Sequence, residues 1–282
     1  MAREPNFNAD SYAEINADVQ AMNEGGDKEF FFHVYQHLTR LTSPSEATRK
    51  QMFFHYYPLL EATHFFLQDN CSKDIRIRQA SDFHFDEEQR TQGEWERQIN
   101  SCFLYRNGKG ERIKPEDAIQ RHLYANKENY LEELGGLVGY EVNISKTKGA
   151  ARVDLLSIKD DDLCFIELKK CTLNGERKGD NQEPLIRAIL EMETFRSYLN
   201  EPSSLKVIKE ALGVDFKNIR FIALVPELIA RDMDFIKDTE IGESLKGRLL
   251  IKTIKVKDGC DLHDIKVGNT SQKYFEITDR PY

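Results

Sequence analysis

The chain has 282 residues and a formal net charge of −8, with 40% hydrophobic and 31% charged residues. That length suffices for one large domain or two modest ones, each with a buried core. No apolar run approaches the roughly 20 residues that span a bilayer, and the start, MAREPNFNADSYAEI, carries no apolar signal segment, so no membrane partner and a cytoplasmic location are expected.

Residues 1 to about 26 are polar and close on Gly25 and Gly26. KEFFFHVYQHLTRL, from Lys28, is aromatic-rich and predicts a helix. Ser43 and Glu46 make a capping box around Pro44, so a long second helix is expected, bent or broken near Pro58. IRIRQASDFHF, from Ile75, alternates as a strand does, and NGKGE, from Asn107, is a turn. His33 and His37 stand four apart, a spacing compatible with metal binding, but no carboxylate motif accompanies them. Aromatic packing is the simpler role for them and for His55 and His64. FFHYY (residues 53–57) reads as helical core or dimer surface rather than as a base-stacking platform. Residues 1–105 thus read as a mostly helical accessory region.

From Pro115 the order of elements becomes informative. PEDAIQRHLYANKENYLEELGG predicts a helix with Ile119, Leu123, Tyr130 and Leu134 in one stripe, ended by Gly135 and Gly136. GYEVNIS is a strand and KTKG a turn. ARVDLLSIK and LCFIELKK are two further strands. After the polar loop LNGERKGDNQ, Leu185, Ile189, Met192, Phe195 and Leu199 recur at helical spacing behind Pro184. IRFIALV, from Ile219, is the apolar run of a buried strand, and RLLIKTIKV and KYFEIT follow as later strands. Helix, three strands, helix, strand is an α/β arrangement with a central mixed sheet flanked by helices. The expected boundary is residues 106–282, with a core at about 115–226 and extra C-terminal strands. The five cysteines, Cys71, Cys102, Cys164, Cys171 and Cys260, form no CxxC pair, which suggests reduced thiols, Cys164 packed inside its strand. GGLVG (residues 135–139) ends a helix and is no nucleotide fingerprint.

The stretch RVDLLSIKDDDLCFIELKK sets Asp154, Glu167 and Lys169 among apolar residues on either side of an acidic turn. Glu167 and Lys169 are two apart and share a strand face. A two-residue loop at Asp160–Asp161 pairs Lys159 with Asp162. Counting back places Asp154 opposite Glu167, Leu156 opposite Phe165, Ile158 opposite Leu163 and Arg152 opposite Lys169. A four-residue loop keeps this pairing and a three-residue loop destroys it. Carboxylates on adjacent strands repel unless a positive charge lies between them. Lys169 and Arg152 are one source of that charge; a hard divalent cation in an all-oxygen setting is the other.

The set Glu, Asp, Glu-x-Lys on helix, strand and strand resembles the PD-(D/E)XK nuclease superfamily. The residues that carry the likeness are E-DAIQRHL on the first helix, RVD on the second strand and IELKK on the third, within residues 115 to 226. The pattern looks like nuclease domains of bacterial defence and DNA-processing proteins. The resemblance implies a restriction-endonuclease-like αβββαβ core and hydrolysis of phosphodiester bonds with Mg²⁺ or Mn²⁺, on DNA rather than RNA. It implies that Asp154 and Glu167 ligate the metal beside the main-chain carbonyl of Leu168. It further implies that Lys169 orients the attacking water and stabilises negative charge, and that Glu116 completes the site from the helix, with Glu128 as second choice. Two departures are visible. Val153 stands where the motif has Pro, and the family's Gln-x-x-x-Tyr spacing on the next helix falls on Glu191 and Phe195.

Lys146, Lys148, Arg152, Lys170, Arg177 and Lys178 surround the motif and form a candidate phosphate-contacting rim. Asp160, Asp161, Asp162, Glu176 and Asp180 nearly balance them, as solvated turns would. A homodimer is compatible with cutting both strands of a duplex. The alternative to an active nuclease is an inactive nuclease-fold module that binds nucleic acid or protein. A third reading makes Asp154, Glu167 and Lys169 a structural ion-pair cluster.

Overall fold

In the computed structural model the described residues are 47, 49–50, 71–78, 115–145, 152–169, 185–199, 202–260 and 272–282. Residues 47 and 49–50 are helical, within the helix expected from Ser43; the rest of that helix, the expected helix around Lys28, the histidines before residue 65, the NGKGE and KTKG turns and the LNGERKGDNQ loop lie outside the described residues.

The described strands form one seven-stranded sheet in sequence order. They are β1 (Cys71–Arg78), β2 (Gly136–Ser145), β3 (Arg152–Lys159), β4 (Asp162–Leu168), β5 (Asn218–Val225), β6 (Leu249–Val256) and β7 (Phe275–Arg280). Strands β1 to β4 are antiparallel, β4–β5–β6 are parallel, and β7 returns antiparallel to β6. The chain is therefore an α/β fold with a mixed sheet flanked by helices. The strand read around Ile75 begins at Cys71 and pairs with β2, at the edge of the same sheet.

Chain direction follows from connection length. The β3–β4 connection is the two residues Asp160 and Asp161, at φ 52° and 66°. Two left-handed residues make the tight turn whose twist suits a hairpin. The parallel steps need longer crossovers. Between β4 and β5 these include α3 (Leu185–Tyr198) and α4 (Pro202–Leu212). Between β5 and β6 come α5 (Glu227–Ala230), a 3₁₀ turn and α6 (Glu240–Leu245).

Every residue of β4 is buried, because helices cover both sheet faces. Phe165, Phe221 and Ile251 pack with Ile189 and Met192 of α3 on one face. Ile166, Ile222 and Ile254 pack with Ile119 and Leu123 of α1 (Pro115–Ala125) on the other.

The single helix expected over residues 115–134 is instead α1, a 3₁₀ turn at Lys127–Tyr130 and α2 (Leu131–Leu134). Asn126 breaks it. Its backbone leaves the helical region at φ −115° and ψ 33°, and its side-chain amide joins its own N–H on the His122 carbonyl, at 2.9 and 3.0 Å. Tyr130 then turns inward, where its hydroxyl lies 3.1 Å from His122 Nε2 and accepts the Phe275 N–H at 3.2 Å. Burial pushes that phenol's pKa far up, consistent with a neutral structural link from α1 to β7. Among the described residues no helix is long and apolar enough to cross a membrane.

Candidate functional site

The hairpin register sets the site. The rungs Lys159–Asp162, Ile158–Leu163, Ser157–Cys164, Leu156–Phe165 and Leu155–Ile166 are all formed. One further step along both strands puts Asp154 across from Glu167, as the turn parity predicts. Beyond Ile166, β4 continues beside β5, and the Lys169 N–H donates to the Leu224 carbonyl at 2.9 Å. Asp154 fills the gap on the β3 side, where its Oδ2 accepts the Leu168 N–H at 2.8 Å. The structure thus gives the Leu168 main chain a bond to the first acid through its N–H.

The polar residues meet in a nearly dry place. Asp154, Glu167, Lys169 and Glu191 are only 6%, 5%, 3% and 9% exposed, so each charge is largely stripped of water. Lys169 Nζ donates to Glu167 Oε1 at 2.8 Å and to Glu191 Oε2 at 2.5 Å. The other oxygen of Glu191 takes Arg187 Nε at 3.4 Å. The chain of contacts runs Arg187, Glu191, Lys169, Glu167, with Asp154 beside it.

Charge does not balance at the strand end. Burial, then the nearby Glu116 carboxylate, holds the Asp154 carboxyl well above the ordinary range, although Lys169 and the Leu168 N–H pull it back. Burial, then Asp154, does the same to Glu167 against the pull of Lys169. Glu191 goes the other way. Burial opposes its ionisation, but Lys169 and Arg187 outweigh burial and hold its pKa below the usual glutamate value.

Of the sequence candidates, Asp154, Glu167 and Lys169 come together, and Glu116, half-buried at the start of α1, is near enough to oppose ionisation of Asp154. Glu128 is exposed on the 3₁₀ turn. Arg152 is half-exposed and pairs with Glu141 at 2.9 Å, so the cation observed between Glu167 and its neighbours is Lys169. Lys146, Lys148, Lys170, Arg177 and Lys178 lie outside the described residues. Cys164 is a buried free thiol in β4, as expected. Glu191 was legible only as a departure from Gln-x-x-x-Tyr. Its better signal is an acid placed three residues after Ala188 and four before Phe195, inside the apolar stripe of α3.

Oxygen donors of the kind a hard divalent cation takes lie at this site. Glu167 Oε2 is buried and receives no N–H or O–H donor, although the Glu167 and Glu191 carboxyls lie close enough to share a proton, which also raises the pKa of Glu167 and lowers that of Glu191. The acids are all-oxygen ligands, which suit Mg²⁺ or Mn²⁺. Among the described residues, however, no three His, Cys, Asp or Glu side chains form a ready metal-ligating group. Lys169 occupies one oxygen of Glu167 in this arrangement.

No family model, curated protein or solved structure matches the chain.

Proposed function

We propose that this chain is a metal-dependent nuclease of the PD-(D/E)XK kind, with a restriction-endonuclease-like core, acting on DNA rather than RNA. The observation that carries the reading is the buried convergence of Asp154, Glu167 and Lys169 on one sheet face, with a Glu167 Oε2 that receives no N–H or O–H donor among them. The order helix, three antiparallel strands, helix, parallel strand supports it. So does the pressure on Asp154 from Glu116.

Asp154 and Glu167 would hold Mg²⁺ or Mn²⁺, with Glu116 and the Leu168 carbonyl completing the set. Such an ion polarises a phosphoryl oxygen and lowers the pKa of bound water. The Leu168 N–H orients Asp154 through its bond to Oδ2. Lys169 presents an ammonium where negative charge develops on the phosphate, and burial strengthens that interaction. α3 and the sheet exclude bulk water from the cluster.

The second reading is an inactive nuclease-fold binding module. One observation favours it: Lys169 already bridges two carboxylates while no three-ligand set is formed among the described residues. One assay separates the two. The full chain is incubated with single- and double-stranded DNA and RNA in Mg²⁺, Mn²⁺ or EDTA, beside Lys169→Ala. We expect DNA cleavage that is lost in EDTA and in the variant. Cleavage surviving both changes would rule out this mechanism, and no cleavage of any substrate favours the binding module.

A further inference from the structure

Lys169 is shared between two elements. Glu167 lies on its own strand, whereas Glu191 approaches from α3 and makes the shorter contact, 2.5 Å against 2.8 Å. Arg187, one turn earlier on α3, fixes the other Glu191 oxygen at 3.4 Å. Glu191 is itself 9% exposed, so its charge interacts with Lys169 and Arg187 through little water.

The charge count gives this arrangement a consequence. If Lys169 had only Glu167 as partner, the ammonium would be free to cover that carboxylate fully, beside the Asp154 and Glu116 acids. Glu191 shares the ammonium, so Lys169 takes only one oxygen of Glu167 and leaves Oε2 for a cation. Glu167 Oε2, which receives no N–H or O–H donor, is the atom such an ion would reach.

We propose that Glu191 is a positioning residue of this site, holding Lys169 toward α3 so that the Glu167 carboxylate stays available to a divalent cation. This inference rests on the metal-dependent nuclease reading. Glu191 acts through Lys169, which it shares with Glu167. Its charge, which a glutamine lacks, is what the role requires.

The test is calorimetric titration of the full chain with Mn²⁺ in the absence of nucleic acid. The proteins are the parent, Glu191→Gln, Lys169→Met and the double variant. Glu191→Gln keeps the side-chain shape and is expected to weaken Mn²⁺ binding about tenfold, because Lys169 is then left to Glu167 alone. In the Lys169→Met background the same change is expected to alter affinity by less than about twofold, since there is no ammonium left to misplace. The double variant removes both charges together, so it reports even if a single variant unfolds. Glu191→Gln with parental affinity overturns the inference and leaves the nuclease reading standing. An equal loss in both backgrounds also overturns it, since Glu191 would then act by charge alone. A parent chain that binds no Mn²⁺ overturns both.

Discussion

Asp154 Oδ2 accepts the main-chain N–H of Leu168 at 2.8 Å, so the first acid of the site also closes the end of the hairpin that carries it. The two duties separate by substitution. Asp154→Asn keeps an acceptor for the Leu168 N–H and should fold with near-parental stability while losing cleavage. Asp154→Ala leaves a buried donor unpaired and should cost a further ~1–3 kcal/mol in urea denaturation. Equal stability of the two variants would show that the bond does not matter to the fold.

Metal-free stability should fall as pH rises. Asp154 and Glu167 are held well above their ordinary values of 3.8 and 4.5, by burial and by neighbouring carboxylates. A carboxyl with a raised folded pKa stabilises fully below its unfolded value and loses that contribution as pH climbs through the folded one. Glu191 has the opposite sign: held below 4.5, it contributes above that pH and loses its contribution as pH falls through the folded value. Above about pH 5, the two raised groups therefore govern the trend. In EDTA, the melting temperature of Asp154→Asn relative to parent should increase from about pH 5 to about pH 8. A constant difference across that range contradicts the assignment.

Gly135 sits at φ +80° and ψ −175°, a region open essentially to glycine alone. A Cβ there would also lie 2.5 Å from the Ile158 carbonyl oxygen, backbone that cannot easily move. Gly135→Ala should therefore cost more than about 2 kcal/mol. Gly213, at φ +64° with open space around it, is the control, and its alanine variant should cost about 1 kcal/mol. Chemical denaturation of both variants checks the order.

Arg49 Nε lies 2.9 Å from Asp232 Oδ1 and 3.1 Å from Oδ2, joining the N-terminal region to a carboxylate that is 1% exposed. Asp232 Oδ2 also receives the Leu185 N–H at the start of α3, at 3.4 Å. Arg49→Ala should destabilise by about 2 kcal/mol, a value discounted because the arginine is about a quarter exposed. An unchanged urea midpoint would mean that water replaces the guanidinium without loss.

The hairpin was the most legible part of the molecule. The parity of the Asp160–Asp161 turn is a local property, and it placed Asp154 across from Glu167 before any packing was known. The apolar stripe of α3 and the continuous run of β5 were equally local signals. The break at Asn126 is hidden because the stripe from Ile119 to Leu134 continues across it, whereas the Asn126 backbone leaves the helical region. Arg152, one of the two cations the sequence offers to the acids, does not serve them. It stands on the right strand, but Glu141 on the neighbouring strand takes it. The role of Glu191 is not legible in the sequence, because only the approach of α3 to the sheet end brings it to Lys169.

By itself, the sequence determined the α/β order of elements, the register of β3 with β4 and the shared face of Asp154, Glu167 and Lys169. These depend on strand alternation and turn length, which act over a few residues. The tertiary structure decided how the charges are partnered: Lys169 between Glu167 and Glu191, Arg152 with Glu141, Glu116 against Asp154. Those partners come from a helix before the hairpin, a helix after it and a neighbouring strand. Whether a buried carboxylate is neutralised depends on water exclusion and on distances between elements far apart in the chain, and no local pattern encodes either.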